Sequence, residues 1–235
     1  MSGSLEMQNP DSTLGIFDYQ DFRLLLETTL PVDQHIISHR VWEQLQLDYL
    51  SDLTAENNRH EERIFIDIGS DLSLYSSHAA RAGIFSKIFS FEPDHCSFEQ
   101  LQGNIFLNKL ERSIVARCEA VSDHTHEGHL LEGRNCPCGN RAGASLRSAP
   151  SSDTTHVECF GLDLFDFFNQ SLVIKLDIKG HECEALTVMK RLLLSNLVTL
   201  QVEALEGTKI CLLGLAEKLK LRHIETRHVN HYFWN

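Results

Sequence analysis

The chain has 235 residues, 42% of them hydrophobic and 23% charged, with a formal net charge of −12. That length supports one well-buried domain with an extension and is short for two. The acidic balance argues against a broad nucleic-acid surface, which needs clustered Lys and Arg to displace counterions.

No apolar run is long enough to span a bilayer, and "MSGSLEMQNPDST" lacks the basic and apolar regions of a secretory signal. Seven cysteines without a regular framework predict reduced thiols in an intracellular, cytoplasmic setting.

Residues 1–12 are polar and are expected to form a disordered tail. Residues 13–60 read as an N-terminal helical cap. Ile37, Val41 and Leu45 recur every four residues, Trp42 and Tyr49 flank them, and Pro31 divides the region. Such a cap completes a core or covers a site as a lid, and the first is the simpler expectation.

Residues 61–235 carry the main domain. "RIFIDIG" is a buried strand, and Ser70–Gly83 a helix with Ser70 or Asp71 as N-cap and Gly83 as its stop. "KIFSFEPD", "HCSFEQLQGNIFLNKL" and "SIVARCEAVSD" read as strand, helix and strand. Residues 124–156 are irregular, with "EGHLLEG" a short strand and a flexible loop expected over 132–155.

"HVECFGLDLFDFF" then reads as a strand and short helix, "SLVIKLDIKG" as a buried strand, and "HECEALTVMKRLLLS" as one helix. "LVTLQVEAL" is another buried strand, "GTKICLLGLAEKLK" a helix, and the tail two final strands. This alternation predicts an α/β fold, a doubly wound, mainly parallel Rossmann-like sheet with right-handed crossovers.

Ligands of such sheets sit at the carboxyl ends of the strands. Asp67, Gly69, Glu92, Ser122, Asp123, Asp177, Gly180, His181 and Glu203 fall there. A dinucleotide loop would carry G-x-G-x-x-G. "FIDIGSDLSLYS" has one glycine and two acids, which would repel a pyrophosphate and exclude an NAD-type site. An acid-x-Gly loop suits a ligand with an ammonium and no phosphate, such as S-adenosylmethionine. Glu92, after the next strand, can accept hydrogen bonds from both ribose hydroxyls.

On these residues the chain resembles the FkbM-type methyltransferases, class I enzymes that use S-adenosylmethionine. "FIDIGSDLSLYS" is similar to that family's F-I-D-I-G-A-N-x-G-x-Y-S. "FSFEPDHCSFEQLQGNIFLN" is similar to its second motif, with Phe91, Glu92, Pro93, Asp94, Phe98, Leu101, Asn104 and Asn108 in register. "AVSD", "ASL", "LDLF", "KLDIKGHECEAL" and "LQVEAL" follow in the family's order, so the likeness covers about residues 63–205.

The resemblance implies O-methylation of a hydroxyl on a small molecule or glycan. It implies a cofactor site over Asp67, Gly69, Ser70, Asp71, Ser73, Tyr75, Glu92, Asp123 and Asp177, with Asp177 beside the transferring methyl. The family's second loop glycine is Ser73 here, its asparagine Asp71 and its D-x-E-G-x-E glutamate Lys179. These departures motivate a second reading, a degenerate methyltransferase fold that acts as a binding module.

Methyl transfer needs alignment and removal of a proton from the acceptor. Asp177, His181 and Glu203 are the candidate bases. His181 reads equally as an exposed first-turn residue. Lys175 and Asp177 share a strand face and are expected to form a structural ion pair. No metal site is expected: His124, His126, His129, Cys136, Cys138, His156 and Cys159 cluster near the loop, but Cys-x-Cys is not the usual zinc spacing.

Overall fold

A computed structural model describes residues 13–57, 62–122, 126–131, 145–147 and 150–235. The expected tail at 1–12, and most of the expected loop at 132–155, lie outside the described residues. In chain order the first elements are β1 (Leu14–Tyr19), β2 (Phe22–Glu27), α1 (Pro31–His39), α2 (Gln44–Glu56), β3 (Arg63–Ile68), α3 (Leu74–Ala82), β4 (Lys87–Phe91), α4 (His95–Leu107) and β5 (Ile114–Arg117). Then come the short strands β6 (Ala120–Ser122), β7 (His126–Leu131), β8 (Ser145–Arg147) and β9 (Thr154–Gly161). The chain closes with β10 (Ser171–Leu176), α5 (Glu182–Val188), α6 (Lys190–Ser195), β11 (Leu197–Glu203), α7 (Glu206–Lys218), β12 (Arg222–Arg227) and β13 (Asn230–Trp234).

The main sheet has the order β12-β13-β11-β10-β3-β4-β5. The pairs among β11, β10, β3, β4 and β5 are parallel, and β13 runs antiparallel to both its neighbours. Period-2 alternation divides each central strand between two cores. Ile64, Ile66, Ile68, Leu172, Ile174, Leu176, Val198, Leu200 and Val202 pack with α5, α6 and α7. Phe65 and Val173 face α2, α3 and α4. The sheet is therefore doubly wound, as its sequence rhythm predicts.

The second face is not apolar throughout. Gln201, Lys175, Asp67 and Ser90 are neighbours in register across β11, β10, β3 and β4, and all four are buried. A buried polar row is tolerated only if its members find partners. Ser76 Oγ reaches both Asp67 Oδ2 at 2.7 Å and Ser90 Oγ at 2.5 Å, while Gln201 Nε2 donates to Tyr75 Oη at 3.1 Å and Asn230 Oδ1 at 2.8 Å. This row pins the first turn of α3 to the sheet directly below the strand ends.

The N-terminal region corrects the helical reading. Residues 14–27 form a hairpin in which Phe22, Leu24 and Leu26 point inward with period 2. The run Leu24-Leu25-Leu26 hides that period in the sequence. Three amides spaced four apart, two on α4 and one at its C-terminal cap, grip this hairpin. Gln100 Nε2 donates to Leu25 O, Asn104 Oδ1 accepts from Leu25 N, and Asn108 Oδ1 and Nδ2 pair with Arg23 N and O.

The Ile37, Val41, Leu45 stripe does not form one face either. Left-handed residues at Arg40 (φ 54°) and Glu43 (φ 48°) break the helix between them, and Leu45 is 69% exposed. Three further expectations shift. The helix after β3 starts at Leu74 and not at Ser70, because Asp71 and Ser73 are left-handed. "HECEALTVMKRLLLS" divides at Met189 into α5 and α6. Within the expected loop, Ser145–Arg147 is strand β8 and β9 begins at Thr154.

The β6–β9 strands form a separate four-stranded sheet, order β6-β9-β7-β8, around Ala120, Leu130, Val157 and Cys159. The expectation of seven reduced thiols is also corrected. α5 and α7 pack side by side, their Cα atoms at Cys183 and Cys211 stand 6.4 Å apart, and the two form a disulfide.

Candidate active site

A cavity of about 280 Å³ opens at the carboxyl ends of β3, β4, β10 and β11. Its floor is the 69–72 loop, Glu92 and residues 177–179. Trp42 and Glu43 approach from the α1–α2 turn, and Val121, Leu130 and Leu146 from the small sheet. Strands stand about 4.8 Å apart, so Glu92 after β4 and Glu203 at the end of β11 mark a trough about 14 Å long.

The loop after β3 is built from the backbone outward. Gly69 has φ +78°, and a Cβ there would lie 2.0 Å from the carbonyl oxygen of Asp177. That close approach, held by Asp177 N donating to Ile68 O at 2.9 Å, requires glycine. Ser70 Oγ donates to the Asp67 carbonyl at 2.9 Å and closes the turn.

Ser73 does not line the cavity. It is fully buried, with its hydroxyl 3.2 Å from Ser77 Oγ, so it does not crowd the site. Asp67 does not line it either. Its Oδ2 accepts from the Ser76 amide at 3.1 Å and hydroxyl at 2.7 Å, so it anchors α3 from beneath. Burial pushes its carboxyl up to about 6, against the pull of Lys175 and Ser76.

Glu92 faces the trough at one end and is 6% exposed. Its Oε2 accepts from Asp71 N at 2.9 Å and its Oε1 from Asp94 N at 3.0 Å. Each oxygen keeps a further lone pair for a ligand. Burial, and then the charge of Asp71, push this carboxyl up to about 8, while the two amides oppose the shift. Beside it, Ala120, Val121, Leu130 and Leu146 make an apolar wall.

The other end is a charge cluster. Lys175 Nζ lies 3.3 Å from Asp177 Oδ2 and 4.4 Å above the Tyr75 ring. Lys179 Nζ lies 2.8 Å from Asp177 Oδ1 and contacts Glu203 Oε1 more closely still. Burial opposes the charge on Lys175, but Asp177, Asp67, Glu43 and Glu203 outweigh it and raise its pKa. Burial likewise penalises Asp177, yet Lys175 and Lys179 hold it below the usual carboxylate range. Glu43 differs. Tyr75 Oη donates to its Oε2 at 2.8 Å, and burial, partly offset by Lys175 and that hydrogen bond, raises its pKa.

Of the residues singled out from sequence, the structure brings Gly69, Ser70, Asp71, Tyr75, Glu92, Asp177 and Glu203 to one cavity. Asp123, His124, Cys136 and Cys138 lie outside the described residues. His181 stands half-buried at the start of α5 and does not line the cavity; its Nδ1 has no partner among the described residues. Among the described residues, no group of three His, Cys, Asp or Glu side chains could hold a metal ion.

Sequence reading missed Trp42, Glu43, Leu130 and Leu146, and gave Lys175 no place at the cavity. Trp42 flanks the expected cap stripe, Leu130 lies in "EGHLLEG" and Leu146 ends "ASL", but none of these patterns marks a cavity residue.

No family model and no curated protein sequence matches the chain. Solved structures do. Methyltransferase FkbM from Methylobacillus flagellatus aligns over 76% of this chain and 45% of its own, with 16% identity and a TM-score of 0.51. A putative transferase from Pyrococcus horikoshii aligns over 95% of this chain and 71% of its own, with 12% identity and a TM-score of 0.52. The chain thus spans less than half the length of the first. At these identities the likeness is one of fold, a Rossmann-like sheet of the class I methyltransferase type.

Proposed function

We propose that this protein binds S-adenosylmethionine in the trough and transfers its methyl group to a hydroxyl of a small molecule or glycan, as an FkbM-like enzyme. Glu92 carries the reading. It is a buried carboxylate positioned by two amides, aimed into a cavity, with lone pairs left for two more donors. A ribose diol supplies those donors, and the apolar wall of Val121, Leu130 and Leu146 fits an adenine ring beside it.

When bound, the cofactor supplies a methyl group already activated by its sulfonium. The chain's own residues then hold the ribose at Glu92 and present the 69–72 loop to the amino-acid end. The far end of the trough, over β10 and β11, receives the acceptor. Binding energy there aligns the nucleophile, which is the main requirement of the reaction. The net charge of −12 favours a small or uncharged acceptor over a nucleic acid. On this reading residues 13–60 are an extension of a 61–235 domain and reach the acceptor end through Trp42 and Glu43.

The test is calorimetric titration with S-adenosylmethionine and S-adenosylhomocysteine. Micromolar binding that is lost in Glu92→Ala supports the proposal; no binding up to millimolar refutes it. A second reading, a non-catalytic binding module, is favoured by Lys179, which ties up both Asp177 and Glu203. It would retain the fold and bind neither ligand.

A further inference from the structure

Three carboxylates face the acceptor end of the trough: Asp177, Glu203 and Glu43. Asp177 is ion-paired with two lysines and Glu203 with one. A carboxylate held by a neighbouring ammonium is a poor proton acceptor. Glu43 has no lysine or arginine ion pair among the described residues, and its side chain accepts from the hydroxyl of Tyr75. That hydrogen bond engages its Oε2, and the residue lines the cavity. Glu43 has a left-handed backbone, φ 48°, at the break between α1 and α2.

We propose that Glu43 is the general base of the transfer, facing the methyl-donating sulfonium and taking the proton from a neutral hydroxyl acceptor. This rests on the methyltransferase reading above. As the acceptor oxygen bonds to the methyl carbon, its proton passes to the Glu43 carboxylate and the S–CH₃ electron pair returns to sulfur. The products are a methyl ether, a neutral thioether and a neutral carboxylic acid, so the positive sulfonium and the negative carboxylate are discharged together. Such cancellation of opposite charges is favoured in a poorly solvated site. The groups around Glu43 are Tyr19 from β1, Tyr75 from α3, Lys175 and Asp177 from the β10 end, Glu203 from β11 and Tyr232 from β13. Tyr75 is hydrogen-bonded to Glu43, so it positions the base.

The charge facing the sulfonium can be read without an acceptor. S-adenosylmethionine carries the sulfonium and S-adenosylhomocysteine does not, while both present the same ribose to Glu92. Their affinity ratio is therefore insensitive to Glu92. Titrations at pH 9 would compare wild type, Glu43→Gln, Glu203→Gln and Tyr75→Phe. Glu43→Gln should cut the preference for the sulfonium roughly tenfold. Tyr75→Phe, which keeps the carboxylate and deletes its donor, should retain the preference. A ratio in Glu43→Gln equal to that of wild type, or a tenfold loss in Glu203→Gln instead, overturns the assignment while leaving cofactor binding intact. Failure of both ligands to bind wild type removes the parent reading with it.

Discussion

Asn104→Ala tests how the N-terminal hairpin and the cavity loop are held together. Asn104 is fully buried on α4. Its Oδ1 accepts from the Leu25 amide at 2.5 Å, and its Nδ2 donates to the Leu72 carbonyl at 2.9 Å. Alanine removes both bonds and orphans one backbone donor and one backbone acceptor. Each orphaned buried group costs about 1–3 kcal/mol, so the substitution should destabilise the protein by about 2–5 kcal/mol. For a domain of this size that is a fall in melting temperature of about 5–15 °C.

Asn108 provides the control. It makes the same pair of bonds to Arg23 one turn later, but at a half-exposed position where water can replace it. Asn108→Ala should cost about 1 kcal/mol or less. Urea denaturation of both variants, read by tryptophan fluorescence and circular dichroism, gives the two differences. Equal effects, or a loss below about 1 kcal/mol for Asn104→Ala, would refute the argument that buried amides fasten the hairpin. Because Leu72 lines the cavity, Asn104→Ala should also weaken ligand binding at temperatures where the variant remains folded.

Four further outcomes are expected. Binding of S-adenosylmethionine should strengthen about twentyfold from pH 6.5 to 8.5 as Glu92, with its carboxyl near 8, becomes ionised, and Glu92→Gln should remove this component in calorimetry. The same raised carboxyl makes the folded protein lose stability as pH climbs from about 4.5 to about 8, since ionising Glu92 is harder in the fold than in the unfolded chain; denaturation of Glu92→Gln should show a flatter profile in that window. Gly69→Ala should fail to fold stably or lose more than about 3 kcal/mol in a denaturant titration, because its Cβ would meet the Asp177 carbonyl at 2.0 Å on top of a left-handed φ. Reduction of the Cys183–Cys211 disulfide, which closes 28 residues of chain, should lower stability by about 3 kcal/mol, and Cys183→Ser should match it under oxidising conditions.

The sequence by itself determined the doubly wound sheet and the strand-end residues. Apolar β-branched runs such as "RIFIDIG" and "SLVIKLDIKG" can be satisfied only between two helical layers, and a strand-terminal Gly69, Glu92, Asp177 or Glu203 must then fall on one edge. These are local patterns, readable with no knowledge of what packs where.

Tertiary structure alone decided three things. It showed residues 14–27 to be a hairpin, because their period is masked by three consecutive leucines and their edge is paired by side chains some 80 residues away. It turned Ser73 away from the cavity, since a side chain's direction after a strand depends on the φ of each loop residue, and it set the start of α3 over Asp67, which sits within β3 and so anchors that helix. It also brought Glu43 against Tyr75, a contact 32 residues apart in sequence, and tied Asp177 and Glu203 to Lys179. Which carboxylate is free to accept a proton depends on which ammonium groups stand beside it. That is a property of distances between elements, and no spacing along the chain encodes it.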